Sequence, residues 1–169
     1  SDYKYYELPQ LLQDVKDKED AFLVLLDGIE DVHNFGSIIR VCECAGVDGI
    51  IIGKRRNASV NEAVMRISEG SANHLPICKV TNLNQAIDDI KKANIWTYGL
   101  ELGGEDIYKT NLKGRICIIV GGEDTGINRL TKEKCDAVMT IPMYGKVNSL
   151  NASVALGVAV FEGVRQRRI

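Results

Sequence analysis

Residues 141–161 read IPMYGKVNSLNASVALGVAVF, and this stretch decides the architecture. Val138 to Ile141 has the apolar content of a strand end, and Pro142, which has no N–H to give to a ladder, stops it. Gly145 and Asn148 break the following segment, 143–149, into a turn. A long apolar helix comes next. Leu150, Val154, Val158 and Phe161 fall on one helical face, and Ala152, Ala155, Ala159 and Val160 make the opposite face apolar as well. A helix that is apolar all round is buried on both sides, so it is expected to lie on a sheet and against something else, such as a second subunit. Its entrance is polar: Ser149, Asn151 and Ser153 crowd the first turn. One such residue is a cap. Three together suggest a small polar constellation that faces a ligand.

Upstream, Arg115–Val120 is a continuous apolar run that leads into GGEDTG at 121–126. Adjacent glycines after a strand permit close backbone approach of a ligand. A turn with no ligand fits them equally well, because neither the dinucleotide fingerprint nor a P-loop is present. Ile95–Leu100 reads as a strand followed by a polar, Gly-rich loop at 101–106, and a short helix is expected near 131–135. Closer to the N-terminus the pattern predicts a helix over 8–19, a strand at 21–26, a helix from Asn34 to Ala45 ended by Gly46, and a strand at 49–52. A helix over 60–69, a strand at 77–80 and a helix from Asn82 to Ala93 follow. Short apolar strands alternating with helices imply an α/β fold with a mainly parallel sheet flanked by helices. Ligands of such sheets bind beyond the carboxyl ends of the strands. Three loops qualify there: 27–36, 121–128 and 142–149.

The chain has 169 residues, enough for one domain with a real core. With 45% hydrophobic and 26% charged residues it has the composition of a soluble globular protein, and no apolar run is long enough to suggest a membrane span. The start is not that of a signal peptide. Five cysteines, Cys42, Cys44, Cys78, Cys117 and Cys135, sit in predicted strands and helices, which reads as reduced thiols in a cytoplasmic protein. No Cys- or His-rich cluster points to a metal. The net charge of −2 argues only weakly against nucleic acid, since clustered basic residues matter more than the total.

Few residues stand out chemically. Arg40 lies between Ile39 and Val41, so its guanidinium either snorkels to water or meets an anion, for which a phosphate is well suited. Asn34 has the position of a helix N-cap. His33 and His74 are isolated, and Glu123 taken alone is a surface charge.

NFGSIIR (34–40), IVGGEDTG (119–126) and IPMYGKVNSLNASVA (141–155), in this order and spacing, resemble the three signature motifs of the SpoU/TrmH family of SPOUT methyltransferases. The likeness extends over nearly the whole chain. KRRNASVNEAVMRISEGS, LPICKVTNL and FEGVRQRR are similar to the branch that methylates guanosine 2'-hydroxyls of bacterial 23S ribosomal RNA. The resemblance implies a deep C-terminal trefoil knot, which base rates alone argue against. It further implies a homodimer, an S-adenosylmethionine cofactor and an RNA substrate, with no metal or membrane involved. It makes residues 1–169 a catalytic domain and leaves a small N-terminal RNA-binding domain outside this stretch.

Carried over by motif, the catalytic positions are Asn34, Arg40, Glu123, Ser149 and Asn151. The cofactor positions are Thr97, Gly99, Leu100, Gly121, Gly122, Ile141, Met143 and Leu150. In this reading Arg40 binds the phosphate beside the target ribose, Asn34 fixes Arg40 or the ribose, and Glu123 holds Asn34 or Arg40. Val32, Asp124 and Ala152 depart from the family pattern, which expects proline, glycine and valine there. Lys54, Arg55 and Arg56 are the preferred RNA contacts. Lys113 with Arg115, and Arg165 with Arg167 and Arg168, are weaker ones. The competing functions are methylation of transfer RNA and a non-catalytic RNA-binding or ribosome-assembly module.

Overall fold

The computed structural model describes residues 2–169. Six strands form one sheet: β1 (Phe22–Asp27), β2 (Gly49–Gly53), β3 (Ile77–Val80), β4 (Trp96–Asp106), β5 (Ile116–Gly121) and β6 (Ala137–Thr140). Their order across the sheet is β3-β2-β1-β5-β4-β6, and every pairing is parallel. Six α-helices accompany them: α1 (Leu8–Asp14), α2 (Val32–Ala45), α3 (Glu62–Ile67), α4 (Leu83–Lys92), α5 (Arg129–Lys134) and α6 (Ala152–Arg167).

Alternation along the strands assigns the helices to two layers. Phe22, Val24, Leu26, Ile50, Ile52, Ile118 and Val120 share a core with residues of α2, α3 and α6. Leu23, Leu25, Ile51, Cys117 and Ile119 point the other way and share a second core with α1 and α4. Strands buried on both faces read as continuous apolar runs, which is why β1, β2 and β5 were legible. Asp31, Asn61, Asn82, Asn128 and Asn151 cap α2, α3, α4, α5 and α6 with their side chains. Gly46 ends α2 in the left-handed conformation, at φ 80°.

Several expectations change. The first helix stops at Asp14 rather than continuing to 19, because beyond buried Val15 residues 16–20 are all exposed and have no apolar side to bury. Asn34 is not the cap of α2: Asp31 takes that role by accepting from the Asn34 backbone N–H at 2.9 Å. The helix expected over 60–69 is confined to Glu62–Ile67. Glu69 then turns into positive φ and Gly70 follows it there.

The segment 101–106 is strand rather than loop. β4 pairs with β6 at Tyr98–Leu100, bulges, and pairs again at Glu105 and Asp106. The bulge breaks the two-residue alternation from which a strand is recognised.

α6 packs one face on α2 and β5 through Leu156, Ala159 and Val160. Leu150, Val154 and Phe161 remain 39%, 52% and 46% exposed, so within one chain this helix is covered on a single side. Its far end is anchored by Gln166, which accepts from Leu112 N–H at 2.7 Å and donates to the Thr110 carbonyl at 2.9 Å.

Candidate active site

β1 and β5 lie side by side at the centre of the sheet, and the chain leaves their carboxyl ends for opposite faces, toward α2 and α5. Such a switch point leaves a crevice where open α/β sheets bind ligands. At its base is Asp27, only 2% exposed, which closes β1. One of its carboxylate oxygens accepts from Arg56 Nη2 at 3.0 Å and the other from the Asn128 backbone N–H at 2.7 Å. Its backbone carbonyl accepts from Gly122 N–H. Asp27 therefore ties the turn after β2 to both ends of the loop after β5.

That loop closes on itself. A side chain at Gly121 would come within 2.1 Å of the Gly126 backbone, and one at Gly122 within 2.6 Å of the Gly28 carbonyl. The adjacent glycines are required by the protein's own backbone. Asp124 is not among the residues with positive φ, so a side chain there is accommodated without strain.

Glu123 projects from this loop and gathers the other two. Its Oε1 accepts from Asn34 Nδ2 at 3.1 Å, from Asn151 Nδ2 at 2.6 Å and from the Ala152 backbone N–H at 3.4 Å. Asn151 is used at both ends: its Oδ1 caps α6 by accepting from Ser153 N–H at 2.9 Å, Val154 N–H at 3.2 Å and the Ser153 hydroxyl at 2.6 Å. A carboxylate at the N-terminus of a 16-residue helix also meets the positive end of its dipole. The polar first turn of α6 is thus explained as a cap and a carboxylate anchor together.

Beside this cluster is a cavity of about 320 Å³. Leu100, Gly121, Gly122, Ile141, Met143 and Leu150, named from the sequence as cofactor positions, line it, together with Ser149, named as a catalytic one. Its walls also include Glu101, Leu102 and Thr140, which the sequence reading missed. The polar residues following an apolar strand were the available signal. Thr97 and Gly99 are elsewhere. Thr97 is fully buried, with its backbone N–H and hydroxyl donating to Asp136 at 2.8 and 3.0 Å. Gly99 faces Cys135 and Ile127, toward the second core.

Arg40 stands apart from the Glu123 cluster. Six residues along a helix advance about 9 Å and rotate away from Asn34. Its guanidinium is mostly exposed, and its one ion pair among the described residues, with Glu69, is long at 3.9 Å. Neither Asn34 nor Glu123 holds it, so of the two partnerships considered for Glu123 the one formed is with Asn34.

The basic groups separate clearly. Arg115 donates to the carbonyls of Val15, Lys18, Ala93 and Asn94, and Arg167 to those of Asp20 and Gly114, so both hold loops together. Arg165 pairs with Glu162 at 2.8 Å. Lys54 and Arg55 are exposed in the turn after β2, beside Arg56 on Asp27. Among the described residues no group of three His, Cys, Asp or Glu is arranged to hold a metal, and no helix is long and apolar enough to cross a membrane.

Residues 21–161 match the model of the SpoU rRNA Methylase family. The chain is 43% identical over 162 residues to the 23S rRNA (guanosine-2'-O-)-methyltransferase RlmB of Xylella fastidiosa, covering 92% of this chain and 65% of that protein. It is 42% identical over 167 residues to a Staphylococcus haemolyticus protein named to the TrmH family of tRNA/rRNA methyltransferases, covering 98% of this chain and 67% of that one. Among solved structures it is similar to the SpoU methyltransferase AviRb of Streptomyces viridochromogenes in complex with AdoMet. The TM-score is 0.84 at 29% identity, over 92% of this chain and 64% of the other. A TrmH/SpoU tRNA modifying enzyme of A. aeolicus is similar at a TM-score of 0.80 and 27% identity, over 95% of this chain and 82% of that one. The chain spans about two thirds of the length of the curated relatives it matches.

Proposed function

The chain belongs to the SpoU rRNA methylase family, and from that premise we propose that it transfers a methyl group from S-adenosylmethionine to a ribose 2'-hydroxyl of RNA, a guanosine of 23S ribosomal RNA. The observation that carries the reading is Glu123, which lines the cavity and draws Asn34 and Asn151 from two distant segments onto one carboxylate oxygen. A purely structural loop needs no such convergence. The guanosine and 23S rRNA assignment rests on the relative that carries that name. Transfer RNA is the second reading, favoured by the likeness to a tRNA modifying enzyme.

The cavity fits the cofactor. Its volume of about 320 Å³ lies at the low end of the roughly 300–1,000 Å³ typical of small-molecule sites. Apolar Leu100, Val120, Ile141, Met143 and Leu150 and the backbone of 121–126 suit an adenosine. When bound, S-adenosylmethionine supplies a methyl already activated by its sulfonium.

The protein then has to orient a ribose hydroxyl and dispose of its proton. Glu123 fixes the Asn34 and Asn151 amides, so one oxygen sets the rim facing the ribose. Arg40 is not the base, because a guanidinium stays protonated in proteins. Its exposed fork binds the phosphate next to the target ribose, and the proton leaves through that phosphate or a water. Ser149 completes the rim.

The same reading includes a trefoil knot. Support for it is that β6 is the edge strand while α6 packs on α2 and β5, and that residues 143 and 148–150 of the connection between them line one cavity with 100–102 and 121–126. It includes a homodimer, in which a second copy covers Leu150, Val154 and Phe161, a cytoplasmic location, and a separate RNA-binding domain working with this catalytic one.

Calorimetric titration with S-adenosylmethionine tests it. One saturable site per chain, weakened in Asn151→Ala, together with 2'-O-methylated guanosine in treated ribosomal RNA, is the expected result. A folded chain that binds no cofactor contradicts the proposal.

A further inference from the structure

A second depression adjoins the cofactor cavity across the loop after β5. It is an open groove of about 740 Å³, lined by Arg56, Glu101, Leu102, residues 125–128, Arg129 and Lys132. Glu101, Leu102, Thr125 and Gly126 line both the groove and the cofactor cavity, and Thr125 also borders the depression that holds Asn34 and Glu123. One short loop thus separates the groove from the reacting centre.

Three cations face one carboxylate in this groove. Arg56 is set in place by buried Asp27 through a single Nη2 bond of 3.0 Å, the only ion pair or side-chain hydrogen bond it makes among the described residues, so most of its five N–H donors remain available. Its backbone, at φ 59°, presents the side chain across Gly28. Arg129 projects from α5 with 93% of its side chain exposed, and among the described residues it is paired only with Glu133, at 3.4 Å. Lys132, one turn further along, meets Glu101 at 3.3 Å. Lys54 and Arg55 are exposed in the same turn that carries Arg56. A groove of anchored and exposed cations that opens beside a ribose-handling site is complementary to a polyanion.

We propose that this groove, with Arg56, Arg129 and Lys132 as phosphate contacts, carries the RNA strand that flanks the target nucleotide. The proposal rests on the reading of the chain as an RNA methyltransferase. It adds α5, on the opposite face of the sheet from Arg40, to the RNA-binding surface. The strand then straddles the switch point, held by Arg40 on one side and by the groove on the other, with the target ribose between them.

The test measures binding of a fluorescein-labelled RNA hairpin as a function of salt, and methylation of ribosomal RNA transcribed in vitro, for the wild type, Arg129→Ala, Lys132→Ala and the double variant. Lys92→Ala is the control, since it removes one positive charge from the last turn of α4, which leads into the amino end of β4 and is not part of the groove lining. The double variant is expected to bind RNA roughly ten-fold more weakly. Its slope of log affinity against log salt is expected to be shallower by about 1–2, since each single-strand phosphate contact contributes about 0.7. The KM for RNA rises while calorimetric S-adenosylmethionine binding is retained. A double variant with the affinity and salt slope of Lys92→Ala overturns the groove assignment and leaves the methyltransferase reading intact. A wild-type chain that binds the cofactor but no RNA overturns both.

Discussion

Asn151 Nδ2 lies 2.6 Å from Glu123 Oε1, so the loop after β5 and the first turn of α6 share one hydrogen bond beside the cavity of about 320 Å³ that Glu123 lines. The same oxygen accepts from Asn34 Nδ2, and three segments distant in sequence therefore depend on one carboxylate. Glu123→Ala removes that common acceptor. Because Glu123 is exposed, the expected loss of stability is only the helix-terminus contribution, about 0.3–1 kcal/mol. Methyl transfer is expected to fall roughly 100-fold, the scale of a small misplacement of reacting groups. Single-turnover methylation and a urea melt separate the two effects, and a variant with the wild-type rate would remove Glu123 from the mechanism.

Arg40 differs in being nearly unrestrained, its guanidinium mostly exposed and 3.9 Å from Glu69. Arg40→Lys keeps the charge and loses the planar fork. If the fork grips a phosphate at two points, methylation drops at least about ten-fold while cofactor affinity is unchanged. Glu69→Ala, which deletes only the long ion pair, leaves the rate near wild type. Near-normal methylation by Arg40→Lys would count against a bidentate role.

Asp27 is a structural counterpart to these exposed groups. Asp27→Ala leaves the Asn128 N–H without its acceptor and frees Arg56. Losing charged hydrogen bonds at a site 2% exposed is expected to cost about 2–3 kcal/mol in a urea titration. The loop after β5 is tied at both ends by Asp27, so cofactor affinity also falls. An unchanged unfolding midpoint would show that the staple has no energetic weight.

What could be read in advance follows from where the physics is local. β1, β2 and β5 are buried on both faces and announce themselves as apolar runs; Gly46 and Asn82 mark helix ends by their own chemistry. The second half of β4 escaped because its bulge destroys the alternation that identifies a strand. The motif resemblance brought Glu123, Asn34 and Asn151 to one place, yet nothing local in the sequence says that Asn34 is bonded and Arg40 is not. That depends on the three-dimensional path of α2 away from the loop after β5. Thr97 and Gly99 lie off the cavity for a related reason: successive residues in a strand point to opposite faces, so closeness in sequence to Leu100, which lines it, does not bring them to the same side.

The cysteines give a prediction that is independent of function. Burial pushes the Cys42 and Cys117 thiols well above the ordinary range, the Cys78 thiol to about 12 and the Cys135 thiol to about 11. Thiols in that state are poor nucleophiles at neutral pH. Cys44, two residues from Cys42 on the exposed side of α2, is the accessible one. Titration of native protein with a disulfide reagent at pH 7.5 is expected to modify Cys44 alone in the fast phase, and Cys44→Ser to abolish that phase. Rapid modification of Cys42 or Cys117 in native protein would contradict the packing of α2 on the sheet.

At the other end of α6, the hydrogen bonds from Arg165, supplemented by one from Gln166, hold the Glu162 carboxyl below its usual range despite its burial. A depressed folded-state value means that the ionised form stabilises the fold above the unfolded carboxyl pKa of about 4.3, and that this stability is lost as pH falls through the lower folded value. Glu162→Gln is expected to be less stable than wild type at pH 7, and the difference to shrink as pH falls below about 4. Urea midpoints of both proteins between pH 7 and pH 3 measure it. A difference that stays constant over that range would mean that the carboxyl charge is not what holds the helix. The effect bears on the site because Glu162 accepts from Gln166, and Gln166 fastens α6 to residues 110 and 112. If that anchor loosens at low pH, the helix carrying Asn151 is free to shift, so cofactor affinity should weaken in the same pH window in which the wild type loses this part of its stability.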